Sequence, residues 1–269
     1  MKQTYPLEIG FLVLVIVVSL VGFSSLYGGD TGGPNGYQYL HIITNLAWLA
    51  LLLCQLVLIS QRRFQRHRTI GTAIFVAGPI LLASLTLLTV HSAAKDAVLG
   101  RPDVLVVQNV MFTLQIALLV FLAFALRRNR KVHGALLLGT ALMFLVIALF
   151  FSFIAYVPRY QIEGPETFYR FGEAAQMSAL IGGIIGLLFF LKDWRSGWPW
   201  IMVTAFVFLD GYLQVTVDQA GRTVSLTQTV ASIGRLRAFA LGLIGFLALL
   251  GVAWRVGAPK RAKRVVDRI

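Results

Sequence analysis

Long apolar runs alternate with short polar turns along the chain, and the lengths of the runs predict the fold. A helix needs about 20 apolar residues to cross the hydrocarbon core of a bilayer. Because the runs are continuously apolar, they favour helices over barrel strands, in which apolar and polar residues alternate. The predicted spans lie near residues 9–27, 39–60, 69–91, 105–126, 133–157, 174–191, 199–217 and 236–254. The sequence therefore predicts an all-α integral membrane protein, a single bundle of eight transmembrane helices.

The first apolar run could be a secretory signal peptide or a retained helix. It covers residues 9–27, which is long for the apolar core of a signal peptide, and no Ala-x-Ala-like cleavage site follows it. We therefore predict a retained helix. Residues 28–36 contain five glycines and Pro34, which predict a loop.

The composition agrees with a membrane protein and narrows its partners. Charged residues make up 13% of the chain, whereas soluble domains have about 25%. The formal net charge of +13 comes from Lys and Arg in turns and in the C-terminal tail. Beside apolar runs, such residues set topology and contact anionic lipid. The lipid bilayer is the expected partner, and nucleic-acid binding is not expected.

The distribution of basic residues predicts the orientation of the bundle. The positive-inside rule places the more basic set of turns in the cytoplasm. One side carries about 17 Lys and Arg residues and the other about 7 by this count. Both termini are therefore predicted to be cytoplasmic, with a basic cytoplasmic tail over residues 255–269.

Several kinds of chemistry find no support in the sequence. Cys54 is the single cysteine, which excludes an intrachain disulfide and a cysteine-based metal cluster. The sequence contains no phosphate-binding glycine loop, no His-Glu-x-x-His motif and no nucleophile elbow. Catalysis of the kind found in soluble enzymes is not expected.

The four histidines fall into two pairs at opposite ends of the predicted bundle. His41 opens the second span and His91 closes the third, both on the outer side, whereas His67 precedes the third span and His133 opens the fifth, both on the inner side. A two-haem membrane cytochrome needs two such pairs, because each iron takes two axial ligands. The alternatives are histidines that contact lipid phosphates and helix ends, and a metal or proton-relay role.

Short motifs around these histidines carry a resemblance to known proteins. His67, Arg68 and Gly71 form a His-Arg-x-x-Gly helix start, and His133 follows the basic residues Arg130 and Lys131. The region of residues 39–157 resembles a group of uncharacterised bacterial polytopic membrane proteins. It is more distantly similar to haem A synthase and to cytochrome-b-type transmembrane ascorbate reductases. The resemblance implies an inner-membrane protein that binds haem b and serves electron transfer or respiratory-enzyme assembly with a membrane partner. The implied haem ligands are His41, His67, His91 and His133.

The predicted positions favour the inner histidine pair as a haem site. His67 and His91 are separated by about 36 Å along a straight helix, compared with a hydrocarbon thickness of about 30 Å. Both therefore lie at or beyond the membrane interfaces and not in the apolar interior that would hold a haem, which weighs against the haem interpretation. His67 and His133 suit a diagonal pairing between the third and fifth spans, whereas the fourth span offers Gln108 where the outer site would need a histidine.

Two spans carry polar faces that should point into the bundle, because unsatisfied amides are costly in lipid. His41, Asn45, Trp48 and Gln55 share one face of the second span, while Gln108 and Gln115 share a face of the fourth. These faces predict hydrogen bonds between the two helices. Alternatively, they form an outward-opening groove for a quinone-like or other amphipathic ligand.

Asp210 is the only carboxylate well inside a predicted span. A charge at this depth costs about 2.5–3.5 kcal/mol on insertion scales and is usually paired or functional. Asp210, Gln214 and Asp218 share one helix face that runs toward the outer surface, where Arg235 and Arg237 are expected partners. The residue is interpreted as part of an ion pair, as a proton or cation site, or as a protonated, hydrogen-bonded carboxyl.

Three functions remain open from the sequence. The leading one is a haem-binding electron-transfer or assembly protein. The second is a non-enzymatic transporter or small-ligand binder that uses Asp210 and the polar faces of the second and fourth spans. The third is a purely structural membrane protein.

Overall fold

The computed structural model describes residues 5–28 and 35–258, and this part of the chain is α-helical without β-strands. The described helices are α1 (Pro6–Gly28), α2 (Gly36–Ser60), α3 (Phe64–Gly71), α4 (Ile74–Val98), α5 (Val106–Ala125), α6 (Arg130–Tyr156), α7 (Tyr169–Lys192), α8 (Trp198–Gln219), α9 (Thr223–Ser232) and α10 (Arg235–Val256). Two short 3-10 turns, Pro158–Tyr160 and Pro165–Thr167, join α6 to α7.

Eight of these helices are long and apolar enough to cross a membrane, which confirms the predicted all-α bundle of eight spans. They are α1, α2, α4, α5, α6, α7, α8 and α10. The cytoplasmic placement of the termini and the retention of the first helix stay predictions. Residues 259–269 of the basic tail and residues 29–34 of the glycine-rich loop lie outside the described residues. We call the end of the bundle that holds the start of α5 the outer end, following the predicted topology, and the opposite end the inner end.

The region of the predicted third span divides into two helices. The His-Arg-x-x-Gly segment forms the separate helix α3, which has no buried residue. The spanning helix α4 begins only at Ile74. The arginines of α3 explain this division, because they are expensive inside hydrocarbon and remain at the inner end. At its other end α4 continues to Val98, so His91 lies inside the helix, seven residues before its last residue.

Helix α9 is a further element that hydropathy alone does not predict. Thr223, Thr227 and Val230 are its buried residues, and their i, i+4, i+7 spacing gives it one inward face. That face packs on the outer ends of α4 and α5. Gly234 has a φ of +75°, a conformation that glycine adopts at no steric cost, and this residue allows α9 to turn directly into α10.

Three spans, α4, α5 and α6, are the most deeply buried. Helices α4, α5 and α6 bury about half or more of their most apolar stretch, compared with about a third or less for α1, α7, α8 and α10. Trp48 of α2 is fully buried, and its Nε1 donates a hydrogen bond of 2.9 Å to Thr140 Oγ1 of α6. Because an unsatisfied indole N–H is costly away from water, this bond fixes how α2 sits against α6.

Helix neighbours determine which polar faces can meet. The most extensive packing joins α4 to α10, α1 to α6 and α7 to α8, while α2 packs mainly on α4 and α1. Helix α5 packs on α6, α10, α4 and α8. The second and fourth spans, α2 and α5, do not form a packed pair in the described structure.

Candidate functional site

Asp210 of α8 lies in a buried pair with Gln115 of α5. The exposed fraction of Asp210 is 8% and that of Gln115 is 3%. Gln115 Nε2 donates a hydrogen bond of 2.5 Å to Asp210 Oδ1. Among the described residues, no Lys, Arg or His forms an ion pair with Asp210.

The structure does not give Asp210 the arginine partners that the sequence predicts. Arg235 and Arg237 lie in the first turn of α10, and the Arg235 guanidinium lies 5.4 Å from the centre of the Tyr37 ring. Helix α8 packs on α7, α6 and α5 rather than on α10. Asp210 therefore meets an amide of α5 and not an arginine of α10.

A row of polar residues leads along α8 from Asp210 toward the outer end. Gln214 and Asp218 follow Asp210 at i+4 and i+8 and so share its face. Gln214 Oε1 is buried and has no hydrogen-bond partner among the described residues, and the same holds for Gln115 Oε1. Thr223 Oγ1 of α9 donates a hydrogen bond of 3.1 Å to Asp218 Oδ1. The row therefore contains acceptor oxygens that no donor in the described part of the chain satisfies.

A cavity of about 310 Å³ lies at the outer end of this row. Gln214, Asp218 and Thr223 provide its polar wall. The apolar wall comes mainly from aromatic and small residues near the start of α7 and in the loop before α5, namely Phe168, Tyr169, Phe171, Gly172, Pro102 and Val104. Gln108 lies on the Gln115 face of α5, about 10 Å closer to the outer end. The cavity thus connects the outer surface with the polar row of α8.

The polar face of α2 meets other helices. His41 Nδ1 lies 3.4 Å from Ser84 Oγ of α4. Asn45 is 1% exposed, and its amide has no partner among the described residues. Gln55 faces α3. The structure therefore does not bring Asn45 and Gln55 together with Gln108 and Gln115, because α2 and α5 are not packed neighbours.

The outer histidines do not face one another. Asn35 Nδ2 donates to His91 Nε2 at 2.8 Å, whereas His41 is anchored at Ser84. Ser84 and His91 are seven residues apart on α4, which separates the two anchor points by about 10 Å along the helix. Since metal–nitrogen bonds are about 2 Å long, His41 and His91 in these positions do not fit a single shared iron.

The inner histidines lie in α3 and in the first turn of α6, where each has a hydrogen-bond partner of its own. His133 Nδ1 donates a hydrogen bond of 2.7 Å to the Ala123 carbonyl, so its Nε2 carries the lone pair. The Gln55 amide satisfies its neighbours when its nitrogen faces His67 Nδ1, at 2.5 Å, and its oxygen accepts from the Gly71 N–H at 3.2 Å. Burial lowers the pKa of His67, and the positive charge of Arg68 adds to this effect.

Asp103, in the turn before α5, is a buried carboxylate that the sequence interpretation missed. It is 2% exposed, its Oδ1 accepts from the Leu105 N–H at 2.9 Å, and its own N–H donates to Thr227 Oγ1 at 3.0 Å. Burial raises the pKa of Asp103. An aspartate directly after Pro102, in the turn before an apolar run, is the signal that could have identified the local turn in which its side chain accepts from the N–H two residues later. Its contact with α9 depends on the tertiary fold.

Comparisons with family models, with curated proteins and with solved structures find no match for this chain. Among the described residues, no group of three or more His, Cys, Asp or Glu side chains could together hold a metal ion. The polar row of α8 and the inner histidine pair are therefore the two arrangements on which a function can be argued.

Proposed function

We propose that this multi-pass membrane protein is a non-enzymatic transporter or small-ligand binder that takes up a proton or a small cation at Asp210 from its outer side. The observation that carries the proposal is the buried carboxyl of Asp210, whose hydrogen-bond partner is a neutral amide. An ionised carboxylate at this depth costs about 2.5–3.5 kcal/mol. A proton or a bound cation would remove that cost.

The unsatisfied groups around Asp210 favour a ligand that donates hydrogen bonds or carries positive charge. Gln115 Oε1 and Gln214 Oε1 are buried acceptors without a donor, and each such group costs about 1–3 kcal/mol. A carboxylate and two amide oxygens accept well from an ammonium group, a hydrated cation or a water that carries a proton. They offer nothing to an anion.

The route to Asp210 supports access from the outer end. The cavity of about 310 Å³ is bounded by Gln214 and Asp218 on the face that continues to Asp210. Its aromatic residues suit a cation as well, because the face of an aromatic ring attracts positive charge. Asp210 lies nine residues before the end of α8, a depth of about 13 Å.

Labelling with dicyclohexylcarbodiimide tests this proposal. This apolar reagent adds the O–H of a protonated carboxyl across its C=N bond, and the adduct rearranges to a stable N-acylurea that mass spectrometry locates. We expect labelling of Asp210 in the folded, detergent-solubilised protein and its loss in Asp210→Asn. Asp193, which is partly exposed and paired with Lys131 at 2.7 Å, should stay unlabelled and is the matched control.

Cation competition then distinguishes the two ligands. Protection of Asp210 by sodium, potassium or methylammonium ions at constant ionic strength indicates a cation site, and labelling that responds only to pH indicates a proton site. A folded protein in which Asp210 is unreactive from acidic to neutral pH would refute the proposal. In proteoliposomes, Asp210→Asn should abolish a pH- or potential-dependent flux, whereas a structural role predicts a change in stability alone.

A second candidate is haem b binding at the inner end, in electron transfer or assembly. The tautomer of His133 favours it, because metal-binding histidines usually donate their other ring N–H to a carbonyl or carboxylate. His67 fits less well, since an amide that donates to its Nδ1 leaves the proton on Nε2. When bound, haem would supply one-electron chemistry.

Absorption spectra of the purified protein, oxidised and dithionite-reduced, test the haem candidate. A Soret band and sharp reduced bands that disappear in His133→Ala and persist in Asp210→Asn would support it. Protein that stays colourless after expression with ample haem would refute it without affecting the proposal for Asp210.

A further inference from the structure

Arg127, in the inner turn between α5 and α6, is a cation with a buried N–H group that has no acceptor among the described residues. Its guanidinium carbon lies 3.8 Å from the centre of the Trp254 ring of α10. Its Nη1 is buried and has no acceptor among the described residues. No carboxylate in the described structure forms an ion pair with Arg127.

The flat face of the guanidinium packs on the Trp254 ring, but this contact provides no hydrogen-bond acceptor for the buried Nη1. Arginine stays charged in proteins and has five N–H donors in a planar fork. A buried donor without a partner costs about 1–3 kcal/mol, and more when it is charged. Burial lowers the pKa of Arg127, and the neighbouring Arg128 adds to this effect, but no group near it makes it neutral. An acceptor is therefore missing.

The surroundings indicate the charge of that acceptor. Phe124 contacts both Trp254, at 6.2 Å between ring centres, and His133, at 5.4 Å. Arg128 and Arg130 follow Arg127 closely along the chain. At the inner end, Asp193, which follows α7, is already paired with Lys131, and Glu8 of α1 is paired with Lys192. The site thus collects positive charge around an unused donor.

We propose that Arg127, fixed by Trp254, binds a phosphate group at the inner end of the bundle. A guanidinium edge matches phosphate oxygens with two parallel hydrogen bonds. The phosphate comes either from the headgroup of an anionic phospholipid or from phosphate in solution. The position favours the headgroup, because Arg127 lies between the last residue of α5 and the first of α6, at the level where tryptophan and arginine meet the membrane interface. The site is independent of Asp210, which lies toward the other end of the bundle.

The test uses the full-length protein and two variants, each of which replaces one arginine near the start of α6 with uncharged glutamine. Arg127→Gln removes the guanidinium that is proposed to bind the phosphate. Arg130→Gln removes an equal charge at an exposed position and is the matched control. Native mass spectrometry in detergent measures the affinity for phosphatidylglycerol and for phosphatidylcholine. A parallel measurement compares thermal unfolding in sodium phosphate and sodium chloride at equal ionic strength.

We expect phosphatidylglycerol to bind the unaltered protein at least tenfold more tightly than phosphatidylcholine. Arg127→Gln should lose about tenfold or more of that affinity, as expected for a lost charged hydrogen bond, and Arg130→Gln about twofold or less. A phosphate-dependent rise in unfolding temperature that only Arg127→Gln loses would identify free phosphate as the source. If Arg127→Gln is poorly folded, Arg127→Lys replaces it, with a partial loss expected because lysine lacks the fork. Equal affinities in the Arg127 and Arg130 variants, or no preference for either phosphate source in the unaltered protein, would overturn the proposal.

Discussion

The bond between Gln115 and Asp210 gives the sharpest prediction about the energetics of the bundle. Gln115→Leu removes the amide that donates to Asp210 Oδ1 at 2.5 Å and leaves the carboxyl buried without a partner. Hydrogen bonds between membrane helices contribute about 0.6 kcal/mol on average and up to about 1.7 kcal/mol. An orphaned buried polar group adds about 1–3 kcal/mol, and removal of the unsatisfied Gln115 Oε1 offsets part of that cost. We therefore expect Gln115→Leu to destabilise the protein by about 1–2 kcal/mol.

A double-mutant cycle isolates this interaction. Asp210→Leu alone leaves the Gln115 amide without its partner and should also cost about 1–2 kcal/mol. The double variant leaves neither group unsatisfied, so its cost should be smaller than the sum by about 1 kcal/mol or more. Gln214→Leu is the matched control, since it removes an oxygen that already lacks a donor. That substitution should leave stability unchanged or raise it.

Reversible unfolding in mixed detergent micelles, titrated with dodecyl sulfate and followed by circular dichroism, measures these free energies. Single-variant effects that add to within about 0.3–0.5 kcal/mol would show that the two residues do not interact. That result would remove the energetic basis for treating Asp210 and Gln115 as one site. A destabilising Gln214→Leu would refute the view that its buried oxygen is unsatisfied.

Two further predictions concern positions outside the polar row. Trp48→Phe should lower the free energy of unfolding by about 2 kcal/mol, because it removes a fully buried indole and its bond to Thr140. Trp194→Phe, at a position that is 67% exposed, should change that free energy by less than about 0.5 kcal/mol. Equal effects of the two substitutions would contradict the assigned core. Because burial raises the pKa of Asp103 in the folded state, its contribution to stability is greatest below the pKa of the unfolded chain and is lost as pH rises through the folded value. Asp103→Asn should therefore remove part of the fall in unfolding temperature toward neutral pH, and parallel pH profiles for the two proteins would refute this.

The spans could be predicted from the sequence because their signal is local. A run of about 20 apolar residues satisfies its own backbone as a helix in lipid, whatever its neighbours are. Helix α9 lacks that signal, since its inward face consists of Thr223, Thr227 and Val230. Such a face becomes recognisable only when the ends of α4 and α5 that it covers are known. The division between α3 and α4 was missed for a related reason, because an apolar count cannot distinguish one helix from two that meet at Thr72 and Ala73.

The candidate site was predictable in its residues and not in their partners. A solitary carboxylate in an apolar run drew attention to Asp210, and helical spacing placed Gln214 and Asp218 on its face. The partner depended on helix neighbours. Arg235 follows α8 closely along the chain, yet α10 packs on α4 and α5, so the amide of Gln115 meets the carboxyl instead. The polar faces of α2 and α5 were each identified from the sequence, but the fold turns them toward different helices.

The two candidate sites are left unsatisfied in opposite senses, and this contrast connects the two proposals. In the outer half, Gln115 and Gln214 present buried oxygens without a donor among the described residues, and the buried carboxyl of Asp210 has only a neutral amide as its partner, so a proton or a cation lowers the free energy of the folded protein. At the inner end, Arg127 presents a donor without an acceptor, so an anion does the same. Buried polar groups in native proteins are nearly always partnered. A cation at Arg127 or an anion at Asp210 would raise the free energy of the folded protein. Each ligand should therefore stabilise its own site and leave the stability of the other site unchanged.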